Sequence, residues 1–408
     1  MDGGAALKQH LIDPEICIRC NTCEATCPVG AITHDENNYV VDPGRCNYCM
    51  DCVAPCPTGA IDNWFQVTAA FSLEDQFGWQ ELPPRPPEPA TTGEGAPVDA
   101  LDEEAAALIA DAHKGAGGRV RAPASAAKPR VNLFNRANPA MAKVTGNIRV
   151  TKSGTSSDVH HVILDFGTVP FPVLEGQSIG VVPPGVDANG RPHAMRLYSI
   201  CSARDGERPN TNNLALTVKR VAEPREDGTL FRGVASNWLC DLKIGDTVPV
   251  IGPFGATFLM PDDPEADIIM VCTGTGAAPF RAFTERRRRL TSAGRGRLHL
   301  FFGARTPQEL PYFGPLQKLP AALMHQELVY SRLPDRPKEY VQDRMRARAA
   351  DLAALLARPN TYLYVCGLKG LEAGVETAMA EIGAAHGLDW PAVAAAMRES
   401  GRYHVETY

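Results

Sequence analysis

One cysteine spacing, C-x2-C-x2-C-x3-C-P, occurs twice: as CIRCNTCEATCP at residues 17–28 and as CNYCMDCVAPCP at 46–57. Eight of the twelve cysteines lie between Cys17 and Cys56, which points to metal ligation. Thiolates at such short intervals let one loop wrap a polynuclear centre, and Pro28 and Pro57 turn each fourth cysteine away from its own run. Structural zinc and disulfides are the alternatives, and the doubling of so specific a run disfavours both. MDGGAALKQHLIDPEI has neither the basic nor the apolar region of an export signal, so the expected compartment is the cytoplasm, where disulfides are rare.

Further along, Arg196-Leu197-Tyr198-Ser199 follows a Gly/Pro-rich turn, and Gly233-Val234-Ala235-Ser236-Asn237 opens a predicted helix. An arginine and a helix N-terminus with free N–H groups suit a pyrophosphate. A tyrosine can lie flat on an isoalloxazine ring, and a serine hydroxyl can reach its N5 edge. DIIMVCTGTGAAPF is a strand running into a Gly-rich turn and then a helix, so Thr273, Gly274, Thr275 and Gly276 let backbone approach a second diphosphate. In YSRLPDRPKEY, Ser331 and Arg332 sit at a strand end with Lys338 and Tyr340 shortly after; cations beside hydroxyls suit a 2′-phosphate, where an NAD site would place an acid. Cys366, Gly367 and Leu368 follow another apolar strand. A core thiol is the plain reading of Cys366, as it is of Cys201, Cys240 and Cys272.

The elements that must position these residues divide the chain. The cysteine repeat defines a domain over residues 1–68. Residues 69–130 are rich in Pro, Gly and Ala and read as a linker, broken at most by a short helix around LDEEAAALIADAH. Residues 131–264 hold short β-branched segments with frequent turns (VHHVILDF, LALTVKRV, DTVPVIGPFG), the texture of an antiparallel barrel. From 265 to 408 apolar strands alternate with helical stretches, which predicts a parallel α/β sheet. The expected class is a multidomain α+β protein.

Composition bounds the function. At 408 residues with 44% hydrophobic and 22% charged content, the chain is an ordinary globular one, without the ~20-residue apolar run a membrane helix needs. Residues 1–64 carry three Lys+Arg against nine Asp+Glu, a net of −6 that equals the whole-chain value, so the remainder balances at zero. No nucleic-acid or membrane partner is expected. RAFTERRRRLTSAGRGR, with seven arginines and one glutamate, reads as a solvated helix face or as a docking surface for the acidic domain.

The repeat resembles bacterial two-cluster ferredoxins, in which the fourth cysteine of each run serves the other cluster. That implies one [4Fe–4S] centre on Cys17, Cys20, Cys23 and Cys56, and a second on Cys27, Cys46, Cys49 and Cys52. Residues from about 145 to 408 resemble plant-type ferredoxin–NADP reductases through EGQSIGVVPPG, RLYSI, LTVKR, GVASNWLCDLKIGD, GPFG, TGTGAAPFRAF, YSR, YVCGLKGLE and HVETY. The resemblance implies FAD held by Arg196, Leu197, Tyr198, Ser199, Lys219, Gly233, Val234, Ala235, Ser236 and Tyr408. It implies NADPH held by Thr273, Gly274, Thr275, Gly276, Ser331, Arg332, Lys338, Tyr340, Cys366, Gly367 and Leu368. Ser199, Cys366, Glu406 and Tyr408 become candidate catalytic residues, with Tyr408 covering the flavin face opposite Tyr198. The tyrosine that stacks on adenine in the family is absent after Lys219-Arg220, where Glu223 stands near its place.

The fusion as a whole is similar to the reductase components of benzoyl-CoA oxygenases. The implied path is NADPH to FAD to two clusters to a separate di-iron oxygenase that epoxidises benzoyl-CoA, and a homodimer is implied too. Service to another oxygenase, reverse flow toward NADP+, and a passive electron carrier are the other readings. Intact RLYS, TGTG and CGLKG motifs argue against the last.

Overall fold

In the computed structural model the chain forms two compact units, Met1–Pro97 and Val98–Tyr408. The structure describes residues 7–15, 17–49, 51–53, 56, 58, 60–61, 63–67, 69–83, 100–116, 121–187, 189–225, 228–290, 296–334 and 336–408.

In the first unit β1 (Leu7–Leu11) pairs antiparallel with β4 (Asn63–Val67), so the two ends of the cysteine domain meet. Between them lie α1 (Thr22–Thr26) and the hairpin of β2 (Ile32–His34) with β3 (Tyr39–Val41). Ile12, Ile32, Tyr39, Val41, Ala60 and Ile61 form a small core packed against the cysteines themselves. A helix α2 (Leu73–Phe77) follows, capped reciprocally by Ser72 and Asp75. The buried Gln76 side chain donates to the Val41 carbonyl (3.0 Å) and accepts from the Val41 N–H (3.1 Å), and Asn38 Nδ2 donates to the carbonyls of Phe77 (3.0 Å) and Trp79 (2.6 Å). These bonds fold the start of the expected 69–130 linker into the first unit.

The other end of that expected linker belongs to the second unit. Helix α3 (Ala100–Ala112) buries Ala105 against Met195, Ile251 and Phe254. The Met195 N–H donates to Glu104 Oε1 at 3.1 Å. Side-chain burial and hydrogen bonding thus override a spacer-like composition; residues 84–99 and 117–120 of the expected linker lie outside the described residues.

The second unit's antiparallel sheet contains β5 (Ala140–Arg149), β6 (Val159–Asp165), β7 (Ser178–Val181), β8 (Arg196–Ser199), β9 (Asn213–Lys219) and, after the hairpin of β10 (Ala222–Pro224) with β11 (Leu230–Arg232) and helix α4 (Val234–Asp241), β12 (Thr247–Phe254). Its order is β8-β7-β12-β5-β6-β9. The edges approach each other where Ile200 bridges Leu216 and the Cys201 N–H donates to the Ala215 carbonyl (2.8 Å). In β5 the buried Ala140, Ala142 and Val144 alternate with the exposed Met141 and Lys143, the period expected of a strand with one face in the core.

A parallel sheet follows, with order β15-β14-β13-β16-β17. It comprises β13 (Asp267–Thr273), β14 (Leu298–Ala304), β15 (Met324–Tyr330), β16 (Thr361–Gly367) and β17 (Tyr403–Thr407). Helices α5 (Ala277–Arg289), α6 (Phe313–Gln317), α7 (Val341–Ala347), α8 (Ala349–Leu356), α9 (Leu371–His386) and α10 (Trp390–Glu399) connect these strands. The central strands DIIMVCT and TYLYVCG are covered on both faces, which explains their unbroken apolar runs.

A polar network joins the two sheets. Arg281 of α5 donates to Glu207 (2.6 and 2.9 Å) and to the Cys201 carbonyl (2.8 Å). His161 of β6 lies 3.3 Å from Glu207 and 3.0 Å from the Tyr312 hydroxyl, which also bonds Thr217 (2.7 Å). Arg289 bonds Asp205, and the fully buried Arg287 donates to the carbonyls of Pro264 (2.8 Å), Gly296 (2.7 Å) and Ala266 (3.0 Å). The arginine run is therefore not a uniformly solvated or docking face. Three of its members, Arg281, Arg287 and Arg289, tie the fold together.

Candidate functional site

The eight clustered cysteines line two separate cavities. Cys17, Cys20, Cys23 and Cys56 surround one with Ile12, Tyr39 and Ile61; Cys27, Cys46, Cys49 and Cys52 surround the other with Ile32 and Val41. The fourth cysteine of each run thus crosses to the other run's cavity. Residues 17–56 supply two sets of four thiols, each set drawn from both runs. Burial pushes the Cys23 thiol up to about 11 and the Cys52 thiol to about 12, so ligation must supply the charge that deprotonates them.

In the second unit, β8 sets Arg196, Leu197, Tyr198 and Ser199 against Val181, Gly180, Ile179 and Ser178 of β7. Arg196 is exposed, while Tyr198 packs against the antiparallel core. Gly233 precedes α4, and the Ser236 hydroxyl donates back to the Gly233 carbonyl and accepts from the Val221 N–H (both 3.2 Å). That hydroxyl is committed to shaping the turn, and the first-turn N–H groups of Val234, Ala235 and Ser236 have no side-chain cap, which is the arrangement an anion can use. Lys219 ends β9, exposed. Sequence reasoning did not single out Phe231, which lies directly across the hairpin from Glu223, is 43% exposed and has the Arg225 guanidinium 5.3 Å from its ring centre.

The strand order of the parallel sheet reverses between β13 and β16, the place where open α/β sheets bind ligands outside their carboxyl ends. Thr273, Gly274, Thr275 and Gly276 leave β13 there, and Cys366, Gly367 and Leu368 end β16 beside them. A Cβ on Gly276 would stand 2.2 Å from the Cys366 carbonyl oxygen, so only glycine lets these turns touch. Ser331 and Arg332 follow β15, pinned by backbone bonds to Ala304 (3.0 Å) and Arg305 (2.8 Å). Lys338 and Tyr340 lie on the loop leading to α7, and no described contact joins them to Ser331 or Arg332.

Cys272, Cys366 and Glu406 lie side by side on three neighbouring strands. Burial holds both thiols well above their usual range and raises Glu406 to about 8. The Tyr408 hydroxyl bonds Thr275 Oγ1 at 2.7 Å, so the final aromatic rests on the Gly-rich turn with its ring half exposed. His113, just past α3, reaches the same edge: its Nδ1 is 3.2 Å from the Val405 carbonyl and its Nε2 3.5 Å from Glu406. Nothing in the local sequence around His113 signals that contact.

Residues 270–377 match the oxidoreductase NAD-binding domain family, and residues 16–60 match the 4Fe-4S dicluster domain family. The cyanelle ferredoxin–NADP reductase of Cyanophora paradoxa is 41% identical over 303 residues, covering 71% of this chain and 83% of that protein. The chain belongs to the ferredoxin–NADP reductase family. Leaf isozyme 1 of the chloroplastic ferredoxin–NADP reductase of Arabidopsis thaliana is 37% identical over 288 residues, covering 68% of this chain and 79% of that protein. The ferredoxin–NADP+ reductase of Plasmodium falciparum, solved with 2′P-AMP, shares the fold at a TM-score of 0.54 and 24% identity, over 68% of this chain and 99% of its own. As a reductase of this family the chain is an oxidoreductase for which FAD and NADP binding are implied, with an iron–sulfur domain on the same polypeptide. Among the described residues no helix is long and apolar enough to cross a membrane.

Proposed function

We propose that this protein oxidises NADPH and passes the electrons through FAD and two [4Fe–4S] clusters to a separate di-iron oxygenase acting on benzoyl-CoA. The observation that carries the electron path is one chain holding both a nucleotide turn at a sheet switch point and two cavities of four cysteines each. FAD, when bound, supplies the exchange between a two-electron hydride and single electrons that neither NADPH nor a cluster can make alone.

The protein's residues do the positioning. Arg196 and the first turn of α4 hold the pyrophosphate, Tyr198 backs the flavin, and Phe231 takes the adenine in place of the missing tyrosine. The sheet around them curls toward a barrel at the Ile200–Leu216 bridge. Thr273–Gly276 receive the nicotinamide cofactor's diphosphate, and Ser331, Arg332, Lys338 and Tyr340 its 2′-phosphate. Cys366 and Glu406 sit where the nicotinamide must arrive, and Tyr408 covers that place until it does. The domains behind this division are 1–68, 131–264 and 265–408, in the cytoplasm and as a homodimer.

The test is anaerobic addition of NADPH to the purified protein. Bleaching of the flavin followed by loss of cluster absorbance is expected; a flavin that bleaches while the clusters never change overturns the internal path. The partner is tested by NADPH-dependent, O2-consuming turnover of benzoyl-CoA, expected only with the oxygenase added. Success with a different oxygenase instead would overturn that assignment. A second reading, reduction of NADP+ by the clusters, is favoured by the activity named for the relatives, and it predicts that dithionite-reduced protein converts NADP+ to NADPH faster than the forward reaction runs.

A further inference from the structure

The proton that accompanies this chemistry needs a path. NADPH gives up two electrons and one proton in becoming NADP+, while clusters accept electrons only, so one proton per NADPH must leave as the two electrons leave singly. Glu406 is the acid at that edge of the sheet, and the structure surrounds it with α3 and the turn that follows it. Resting on the reductase reading above, we propose that His113 is a positioning residue that pairs with Glu406 to hold this proton and carry it toward solvent.

The Val405 carbonyl can only accept, so Nδ1, 3.2 Å away, carries the hydrogen. In the neutral ring Nε2 is then a lone pair, and it faces Glu406 Oε1 at 3.5 Å, a distance that a small movement closes into a hydrogen bond. Both side chains are mostly enclosed, at 14% and 15% exposure, which leaves a narrow opening to water. Burial favours the neutral form of each: it lowers the imidazole's affinity for protons and raises Glu406 to about 8. A protonated carboxyl facing an imidazole lone pair is the arrangement that results near neutral pH.

The surrounding charges do not disturb the pair. From β17 comes His404, held down to about 4 by burial; from β16 and β13 come the neutral thiols of Cys366 and Cys272. Near the end of α3, Asp111 is bonded to Lys114 (2.6 Å) and Lys369 (2.8 Å), and on α9 Glu372 lies against Gly115 and accepts from the Gly370 N–H (2.9 Å). The same segment is clipped at Met195 by Glu104, so the ring is placed by anchors at both ends of the helix.

The test uses two substitutions in the full holoprotein. His113→Asn keeps a donor near the Val405 carbonyl and loses the Nε2 base that faces Glu406; His113→Phe loses both. In oxidised protein labelled with 15N-histidine, the His113 signal should report the Nδ1–H tautomer at pH 7. It should shift as Glu406 titrates between pH 7 and 9, and that shift should vanish in Glu406→Gln. NADPH-driven cluster reduction should slow at least about tenfold in His113→Asn, with a changed pH profile and an unchanged KM for NADPH. A signal flat across that pH range, or a His113→Asn variant that matches wild type while only His113→Phe is impaired, would overturn the proposal by making the ring a clip. Failure of NADPH to bleach the flavin in wild type would instead sink the reductase reading, and the nuclear-resonance result would still decide the pairing.

Discussion

The two units solve the problem of a stable interior differently. In the first, Ile12, Ile32, Tyr39, Val41 and Ile61 pack against the cysteines, so the core is assembled around two cavities lined by ligands. In the second, the antiparallel and parallel sheets each have aliphatic cores independent of any cofactor, and buried ionic groups join them. Small domains bury too little apolar surface to stand without reinforcement. The cofactors of the first unit should therefore be structural as well as redox-active, and those of the second should bind a fold already formed.

The largest expected effect tests that contrast directly. Cys52→Ser should abolish the absorbance of one cluster and leave the first unit open to protease, while the second unit keeps FAD and reduces a one-electron dye with NADPH. Loss of flavin in the same variant would break the comparison.

Next is Arg281→Ala. Removing one partner of a buried, hydrogen-bonded pair costs about 3–5 kcal/mol. The urea midpoint for flavin release should fall accordingly, with cluster absorbance untouched. Gly276→Ala forces a Cβ into the Cys366 carbonyl and should cost about 1–3 kcal/mol together with NADPH affinity, read by denaturation and by titration.

The same interlobe network makes the second unit sensitive to pH from both sides. Burial alone would lower His161, yet the Cys201 sulfur and the Glu207 carboxylate hold it up to about 9. Burial alone would raise Glu207, yet the bonds from His161 and Arg281 bring it down to about 2. A raised histidine stabilises fully below its unfolded value near 6.5 and loses that contribution as pH rises through about 9. A depressed glutamate stabilises above its unfolded value near 4.5 and loses it as pH falls toward about 2. Flavin release against urea should therefore be most resistant at mildly acidic pH, and His161→Phe should flatten the alkaline side.

The smallest effect on the fold is expected of Tyr408→Ser. It removes one bond to Thr275, worth about 0.5–1.5 kcal/mol, and should leave FAD bound. Affinity for NADP+ should rise and the preference over NAD should relax; an unchanged nucleotide profile would reduce Tyr408 to packing.

How much of this was legible in the sequence depends on distance along the chain. The cysteine runs, RLYS and TGTG are local motifs, with their candidate groups within a few residues of each other, and their strands and turns follow from period and glycine placement. The joining of Cys56 to Cys17, Cys20 and Cys23 was readable only through resemblance, since no local rule links the two runs. Within residues 69–130 the short helix expected around LDEEAAALIADAH is present as α3, but composition did not show that Gln76 and Ala105 are buried by partners far away in the chain. It misled at Arg281, Arg287 and Arg289, whose charges are taken up by carbonyls and carboxylates that the helix alone does not show.

By itself, then, the sequence determined which side chains can ligate clusters, which turns can meet a diphosphate, and where strands and helices alternate, because each depends on spacing within one element. Only the tertiary structure decided that Cys272, Cys366 and Glu406 share a row, that Phe231 faces Glu223, and that His113 reaches Val405 across a separation of 292 residues. Those contacts arise from strand order, register and packing, which bring together residues that no periodicity relates.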